Sequence, residues 1–552
     1  MAVLSGFVAR CGAFIIGIAL HIFLFRIGEW DLQTTTILAT SFVVHVMGTL
    51  GIQKLLPQEY GDPIHAVKDV SVIVVCVGAG IFISMLVYRA FFHRLNTFPG
   101  PFAARLSTVY PTYLSAKKRH LYEEVQALHQ KYGDYIRLGP SELSINDPRA
   151  VTAIHSAQSL CRKGPWYSVL HPMVSLQMVR NKPEHIRRRK VWDRGFSAKA
   201  LRDYEPRVQK YAEQLLVQLD AHAGQPVNAT EWFNFYSFDV MGDLAWGKSF
   251  NMVQNGIKHY FMTSLHKFML DVGTFSHMPW LFPIFKATPI LNNESKKFWC
   301  WVNEQVSERK KMKPDRPDVF SWLLAEHESN DKPTAQEKLN LVGDAYLIAV
   351  AGSDTTAATL TCLFYQLALD PKSLTTLQQE VDDTFNEADI IDSATLSKLP
   401  YLDAVINESL RLHPPVPSGV QRMTPPEGLQ IGERFVPGNS IVQIPTHTMY
   451  RDERCFEDPD SFIPERWTSK KYMTKDATVF TPFSSGRYSC IGKQLGLMEV
   501  RHVTSQIVRR YDVQLAPGQS SQAFLDGKKD TFTLGLGPLE LVFQPRKKQA
   551  KV

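Results

Sequence analysis

Apolar positions are spread unevenly along the chain, and the unevenness divides it in two. Before residue 90 they form three runs, at about residues 11–25, 37–52 and 70–88. The third holds nineteen uncharged residues, close to the roughly 20 that a spanning helix needs. Three runs, the last too long for the apolar part of a cleaved leader, predict a membrane anchor over residues 1–95 with up to three transmembrane helices. Arg89, His93, Arg94 and Arg105 follow the third run directly. Positive charge marks the cytosolic end of a span, so residues 96–552 are expected to face the cytosol. With three spans, Arg26 falls in a second cytosolic loop and the N-terminus is lumenal.

Beyond the anchor the pattern changes. Thr97-Phe98-Pro99-Gly100-Pro101-Phe102 is a stiff hinge, since two prolines cannot continue a helix. After it, apolar residues recur at three- and four-residue spacing over residues 120–132, 204–222, 339–369 and 373–384, which predicts helices. Strand-like pieces are short and few, at residues 135–138, 434–436 and 440–444. The body is therefore expected to be one large domain, mainly α with small β-sheets.

Composition removes several function classes. The seven cysteines have no Cys-x-x-Cys pair, which argues against a zinc module or a disulfide scaffold. A net charge of +7 over 552 residues, with no basic block interleaved with aromatics, gives no nucleic-acid groove.

Three motifs in the body carry chemistry. The predicted helix at 339–369 contains Ala351-Gly352-Ser353-Asp354-Thr355-Thr356. Its small residues permit either a close helix crossing or a groove beside the backbone, where an inserted group or water opens the helix. In the second reading Thr355 offers a hydroxyl and Asp354 an acid that relays protons. Further on, Glu408 and Arg411 lie three residues apart on one helix face, ahead of a Pro-Pro stop. Arg466, in Pro464-Glu465-Arg466-Trp467, can join them in a buried network that is structural and not catalytic. Lastly, Phe483 to Gly492 reads FSSGRYSCIG. Gly486 and Gly492 let the backbone turn around Cys490 so that amide N–H groups point at the sulfur. The helix expected to follow favours an anion at its N-terminal end. Phe483 can pack flat on a planar ligand. A thiolate held in this way suits an axial ligand to haem iron, against the alternative of an inert buried cysteine.

In their order along the chain these motifs resemble the cytochrome P450 superfamily, the haem-thiolate monooxygenases, over roughly residues 97–545. The stretch 238–247 resembles fungal microsomal members. The resemblance implies a cytochrome P450 fold, haem b (iron protoporphyrin IX) as cofactor, and Cys490 as its axial ligand. It implies electrons from NADPH through a membrane-bound NADPH–cytochrome P450 reductase. It implies an apolar small-molecule substrate, with a fungal secondary metabolite as the expectation, and the endoplasmic reticulum membrane as the location. Asp354 and Thr355 take the catalytic proton-delivery role.

Two departures from the family pattern bear on the haem carboxylates. The family has arginine where this chain has Tyr488, with Arg487 one place earlier. Its early-helix Trp-x-x-x-Arg is here His185-x-x-x-Arg189. His185, Arg189 and Arg422, together with Tyr488, are the expected propionate donors. Family position also suggests residues 166–177, 346–353, 416–420 and 532–536 as pocket walls, and Lys493, Arg487 and residues 187–190 as a basic docking face. Two other readings stay open: a haem-thiolate isomerase or dehydratase that uses no oxygen, and a membrane haem sensor. Sequons at Asn228, Asn293 and Asn407 are expected to stay unmodified in a cytosolic body.

Overall fold

The protein is described by a computed structural model at residues 2–314, 316–386 and 391–547. Three long helices come first, α1 (Ala2–Leu20), α2 (Thr34–Leu55) and α3 (Pro63–Val87). They extend beyond the apolar runs, and for α3 a cap sets the start. Pro63 opens α3 at a position that needs no N–H, and the Asp62 side chain accepts from Ile64 N. Helices α1 and α3 meet at Gly17 and Gly80. A Cβ on either would lie 2.1 Å from a backbone oxygen of the other helix, so only glycine permits this approach. His21 bonds Ser84 between α1's end and α3, and His45 bonds Ser71 between α2 and α3, each at 2.8 Å. Phe42, Val75 and Phe82 point outward and are more than half exposed. By length and composition all three helices can cross a membrane.

Three helices follow that build the body, α4 (Lys182–Gly195), α5 (Ala229–Trp246) and α6 (Tyr260–Thr274). Helix α5 packs along the longest helix, α7 (Ala335–Leu369), and α4 and α6 reach it through Arg188–Asp344 and His266–Asp354. It too is long and apolar enough to span a membrane, but 78% of its apolar window is buried inside the body, and it is the central strut of the core. Helix α8 (Pro400–Leu412) and helix α9 (Lys493–Arg510) pack against it. The remaining helical expectations appear at Leu121–Tyr132, Ala198–Ala221 and Pro371–Thr384.

The sheets are small. β1 (Tyr135–Gly139), β2 (Glu142–Ile145), β3 (Arg162–Lys163), β4 (Arg422–Met423) and β5 (Ile441–Gln443) form one sheet in the order β1-β2-β5-β4-β3. Only β2 and β5 run parallel. In the β3–β4 pair Lys163 stands opposite Arg422. Two-residue strands carry no periodicity, which is why neither was predicted. A separate hairpin, β6 (Lys529–Thr531) and β7 (Thr533–Gly535), turns at Phe532 with φ +76°. A non-glycine residue held in that region is strained and must be fixed by its surroundings. The 434–436 expectation is met by Arg434–Val436, which pairs with Leu429–Ile431.

Candidate active site

A cavity of about 380 Å³ lies at the centre of the body, between α7, the start of α9 and the β3–β4 edge. Cys490 is the one cysteine among its described lining residues. Its N–H donates to Phe483 O at 2.8 Å, which closes the loop. Gly486 turns the chain with φ +66°, and a Cβ there would stand 2.4 Å from His155 O. The sulfur lies deep in the protein yet is open to the cavity. Burial pushes its thiol up, while the N–H groups of Gly492 and Lys493 and the charge of Arg189 act in the opposite direction. A metal at this sulfur would favour the thiolate against that burial. Cys455, in contrast, is fully buried away from the cavity, and burial pushes it up to about 12.

Beside the cysteine loop stands a cluster of cationic side chains. Lys163 is buried and donates only to main-chain oxygens, Leu176 O at 3.2 Å and Gln177 O at 2.6 Å. Arg422 donates to Tyr167 Oη and Gln421 O, both at 2.9 Å. Arg189 binds Asp193 Oδ1 and Ser489 O, both at 2.8 Å. The Tyr488 ring is the meeting point: Lys163 Nζ lies 4.8 Å and Arg422 Cζ 5.0 Å from its centre, and His185 packs edge-on at 4.8 Å. Burial, with help from Arg422, Arg188 and Arg189, holds Lys163 well below its ordinary range. Burial, with Lys163 and the neighbouring arginines, pulls His185 down to about 3. A buried nest of this kind, in which Lys163 and Arg422 have no carboxylate partner, fits a dianionic group. The two carboxylates of haem b would satisfy it, with the sulfur of Cys490 in the same cavity.

Several expected residues are placed differently from the sequence reading. Lys163 belongs to the cluster although no motif marks it; only its pairing with Arg422 across β3–β4 brings it there. Arg487 donates to Ala157 O at 3.0 Å and does not line the cavity, although its charge acts on the Tyr488 hydroxyl. Residues 187–190 are not one basic face. Arg187 pairs with Glu184 at the surface, whereas Arg188 is buried against Asp344 at 2.6 Å. Along the expected walls, Trp166, Tyr346, Val416, Gly419 and Phe532 do line the cavity, but Ser353 and residues 534–536 do not. Of the aromatics around residues 231–285, Phe268 alone reaches it, while Trp232, Phe233, Phe235, Tyr236, Trp280 and Phe282 do not.

On the opposite wall α7 runs unbroken through residues 351–356. Met241 of α5 packs against Gly352, 2.5 Å from where a Cβ would sit, so the close crossing is present, and Gly352 also lines the cavity. Ala351 and Thr355 face the cavity. The Thr355 hydroxyl donates to Ala351 O at 2.8 Å. Asp354 is buried behind it and meets His266 Nε2 of α6 at 3.2 Å. His266 is partly exposed and thus lies between that acid and solvent. Far from Asp354 in sequence, it left no signal there. Glu499 of α9 also borders the cavity; neither of its oxygens has a protein partner, and burial raises its carboxyl well above the usual range.

Glu408 sits at the centre of a separate, fully buried network. It accepts from Arg411 Nε and Nη2 at 3.0 and 2.8 Å, and from Arg466 Nε at 2.9 Å. Trp467 Nε1 and Ile463 N add two more bonds at 2.9 Å. This ties α8 to the loop that leads toward Cys490.

Comparison with known proteins agrees with this geometry. A family model described as Cytochrome P450 matches residues 99–543. The chain is 53% identical to Cytochrome P450 monooxygenase FCK2 of Fusarium pseudograminearum, over 97% of each chain. It is 36% identical to Tryprostatin B 6-hydroxylase of Neosartorya fischeri, over 98% of each. Cytochrome P450 monooxygenase nodW of Hypoxylon pulicicidum is 37% identical, over 95% of this chain and 96% of the relative.

Proposed function

The chain belongs to the cytochrome P450 family and is a haem-thiolate monooxygenase; from that premise we propose which of its residues serve the reaction and what it acts on. Haem b, when bound, supplies the oxygen-activating chemistry by which one oxygen atom enters the substrate. Cys490 would hold its iron through the sulfur, with the loop kept in place by the bond from Cys490 N–H to the Phe483 carbonyl and the sulfur faced by the N–H groups of Gly492 and Lys493. Lys163, His185, Arg189, Arg422 and Tyr488 hold its carboxylates. Phe483, whose ring has Lys493 Nζ 5.8 Å from its centre, packs beside the sulfur. Thr355 presents a hydroxyl to the distal side, and Asp354 reloads it with protons taken through His266. Glu408, Arg411 and Arg466 keep the loop in register and touch nothing that reacts.

The redox partner is proposed to be NADPH–cytochrome P450 reductase, with NADPH as the electron source. Helices α1–α3 anchor the body on the cytosolic face of the endoplasmic reticulum. The substrate is an apolar small molecule of fungal secondary metabolism. The fungal relatives, one of them a tryprostatin B 6-hydroxylase, support that class. The observation that carries the reading is the joint placement of Cys490 and an uncompensated cation nest on one cavity. The acid–hydroxyl pair Asp354–Thr355 disfavours both an oxygen-independent isomerase and a haem sensor. Deleting the gene and identifying the metabolites that accumulate supplies candidate substrates, and those lost supply candidate products. Turnover of the accumulated compounds by the full chain under ¹⁸O₂ must then put one labelled atom in the product, with NADPH and reductase both required. Turnover without oxygen would support the isomerase reading instead.

A further inference from the structure

Behind one wall of the substrate cavity lies a second, smaller one of about 40 Å³. By the usual allowance of ~10–15 Å³ per water it has room for about three waters. Trp166, Gly419 and Phe532 line both spaces, so they form the partition. The Trp166 and Phe532 rings are stacked there, with centres 4.4 Å apart. Gly419 has φ +81°, and a Cβ would collide with Ile444 O at 1.9 Å, so this part of the wall cannot thicken.

The two spaces differ in chemistry. The main cavity is walled largely by apolar and aromatic side chains, whereas the annex is lined by His277, Asp530, Ser418, Ser276 and Gln421. His277, in the turn after α6, is buried, and its Nδ1 lies 3.0 Å from Glu142 Oε2. Burial lowers the imidazole's affinity for a proton, but the Glu142 carboxylate outweighs it and raises that affinity above the ordinary range, which favours the form with a hydrogen on both nitrogens. That Nε2 has no partner in the protein. Asp530, on β6, accepts from the Ser418 hydroxyl and from Phe532 N at 3.3 Å, which leaves lone pairs free on its carboxylate. Trp166 Nε1, on the partition, is buried without a partner as well. An unpartnered buried donor costs stability unless something accepts from it.

We propose that the annex is the recognition site for a secondary amide or lactam carried on the substrate's apolar skeleton. This rests on the monooxygenase reading of the main cavity. The amide carbonyl accepts from His277 Nε2, its N–H donates to Asp530, and the skeleton stays on the apolar side past Trp166 and Phe532. A hydrocarbon fills the main cavity but leaves His277 unanswered. The annex therefore selects substrates by a polar function set apart from the carbon that is oxidised.

A matched pair of rigid probes tests this, phenanthridin-6(5H)-one and phenanthrene, which differ only by the lactam. Equilibrium dialysis against the full-length holoenzyme in nanodiscs gives the ratio of their affinities. In a Glu142→Gln background, which leaves no unpaired buried carboxylate, His277→Gln keeps a donor and His277→Leu does not. The ratio should fall about tenfold from the Gln to the Leu variant, the value of one buried hydrogen bond. Phenanthrene affinity should stay constant. Asp530→Asn against Asp530→Leu reads the same effect from the opposite side of the annex, should the first pair fold poorly. An unchanged ratio across both pairs would overturn the proposal and identify the annex as a water-filled space only. Failure of the underlying reading looks different: wild-type protein would then lack the thiolate signature of its carbon monoxide complex.

Discussion

At the scale of single residues, Lys163 answers a question that Tyr488 raises. The ring at 488 carries no charge, but Lys163 Nζ stands 4.8 Å from its centre and is buried without an acidic partner. In the proposed haem site the positive charge absent at 488 comes from Lys163 on β3, with a haem carboxylate offsetting its burial. Lys163→Met should therefore lower haem retention about tenfold or more, as expected for loss of a charge-assisted bond. Adding Tyr488→Arg to that variant should recover most of it. The measurement is the rate of haem transfer from each variant to apomyoglobin; equal rates for wild type and Lys163→Met would remove the lysine from the site. On the distal side, Thr355→Ala keeps the helix, since alanine suits it. Product formation should drop by about 10²-fold while NADPH consumption continues, with hydrogen peroxide making up the difference. Full coupling in this variant would end the proton-delivery role. Asp354 and Thr355 were readable from adjacent letters of a motif. Lys163 and His266 were not, because each meets its partners only through tertiary pairing.

At the scale of elements, the long patterns were legible and the short ones were not. A thirty-five-residue helix such as α7 shows its period many times over. The two-residue strands β3 and β4 show none, yet they set Lys163 beside Arg422. Likewise, sequence alone could not tell that Met241 packs against Gly352, since the packing of α5 against α7 is decided by a distant segment. The Glu408 network was legible because its residues sit in recognisable motifs, and it shows how elements are joined. One carboxylate is shared by two guanidiniums, an indole N–H and a main-chain N–H. Glu408→Gln leaves two buried arginines without their anion, and should destabilise the body by about 3–5 kcal/mol. Thermal unfolding of the haem-loaded protein checks it; a change under about 1 kcal/mol would mean that the main-chain acceptors of Arg411 and Arg466 suffice.

For the whole molecule, the anchor and the body are joined on one side. Glu29, in the turn between α1 and α2, forms a two-pronged ion pair with Arg180 of the body at 2.7 and 2.8 Å. If α1–α3 each cross, that turn and the body share the cytosolic side, and the turn between α2 and α3 at residues 56–62 lies in the lumen. A sequon engineered into residues 57–61 should then be glycosylated in microsomes, whereas the native sequons at Asn228, Asn293 and Asn407 should not. Asn407 is followed by the fully buried Glu408, so glycan there is also incompatible with the folded body. A glycosidase-sensitive mass on the unaltered chain, or none on the engineered one, would reverse the topology.

All three scales converge on one sulfur. The cation nest, the glycine-shaped loop and the start of α9 make sense together only if Cys490 ligates haem iron as a thiolate. The direct measurement is the absorbance spectrum of the reduced protein with carbon monoxide. Wild type and Cys455→Ser should show the long-wavelength band specific to thiolate ligation, and Cys490→Ser should abolish it. A Cys490→Ser protein that retained the band would contradict the account.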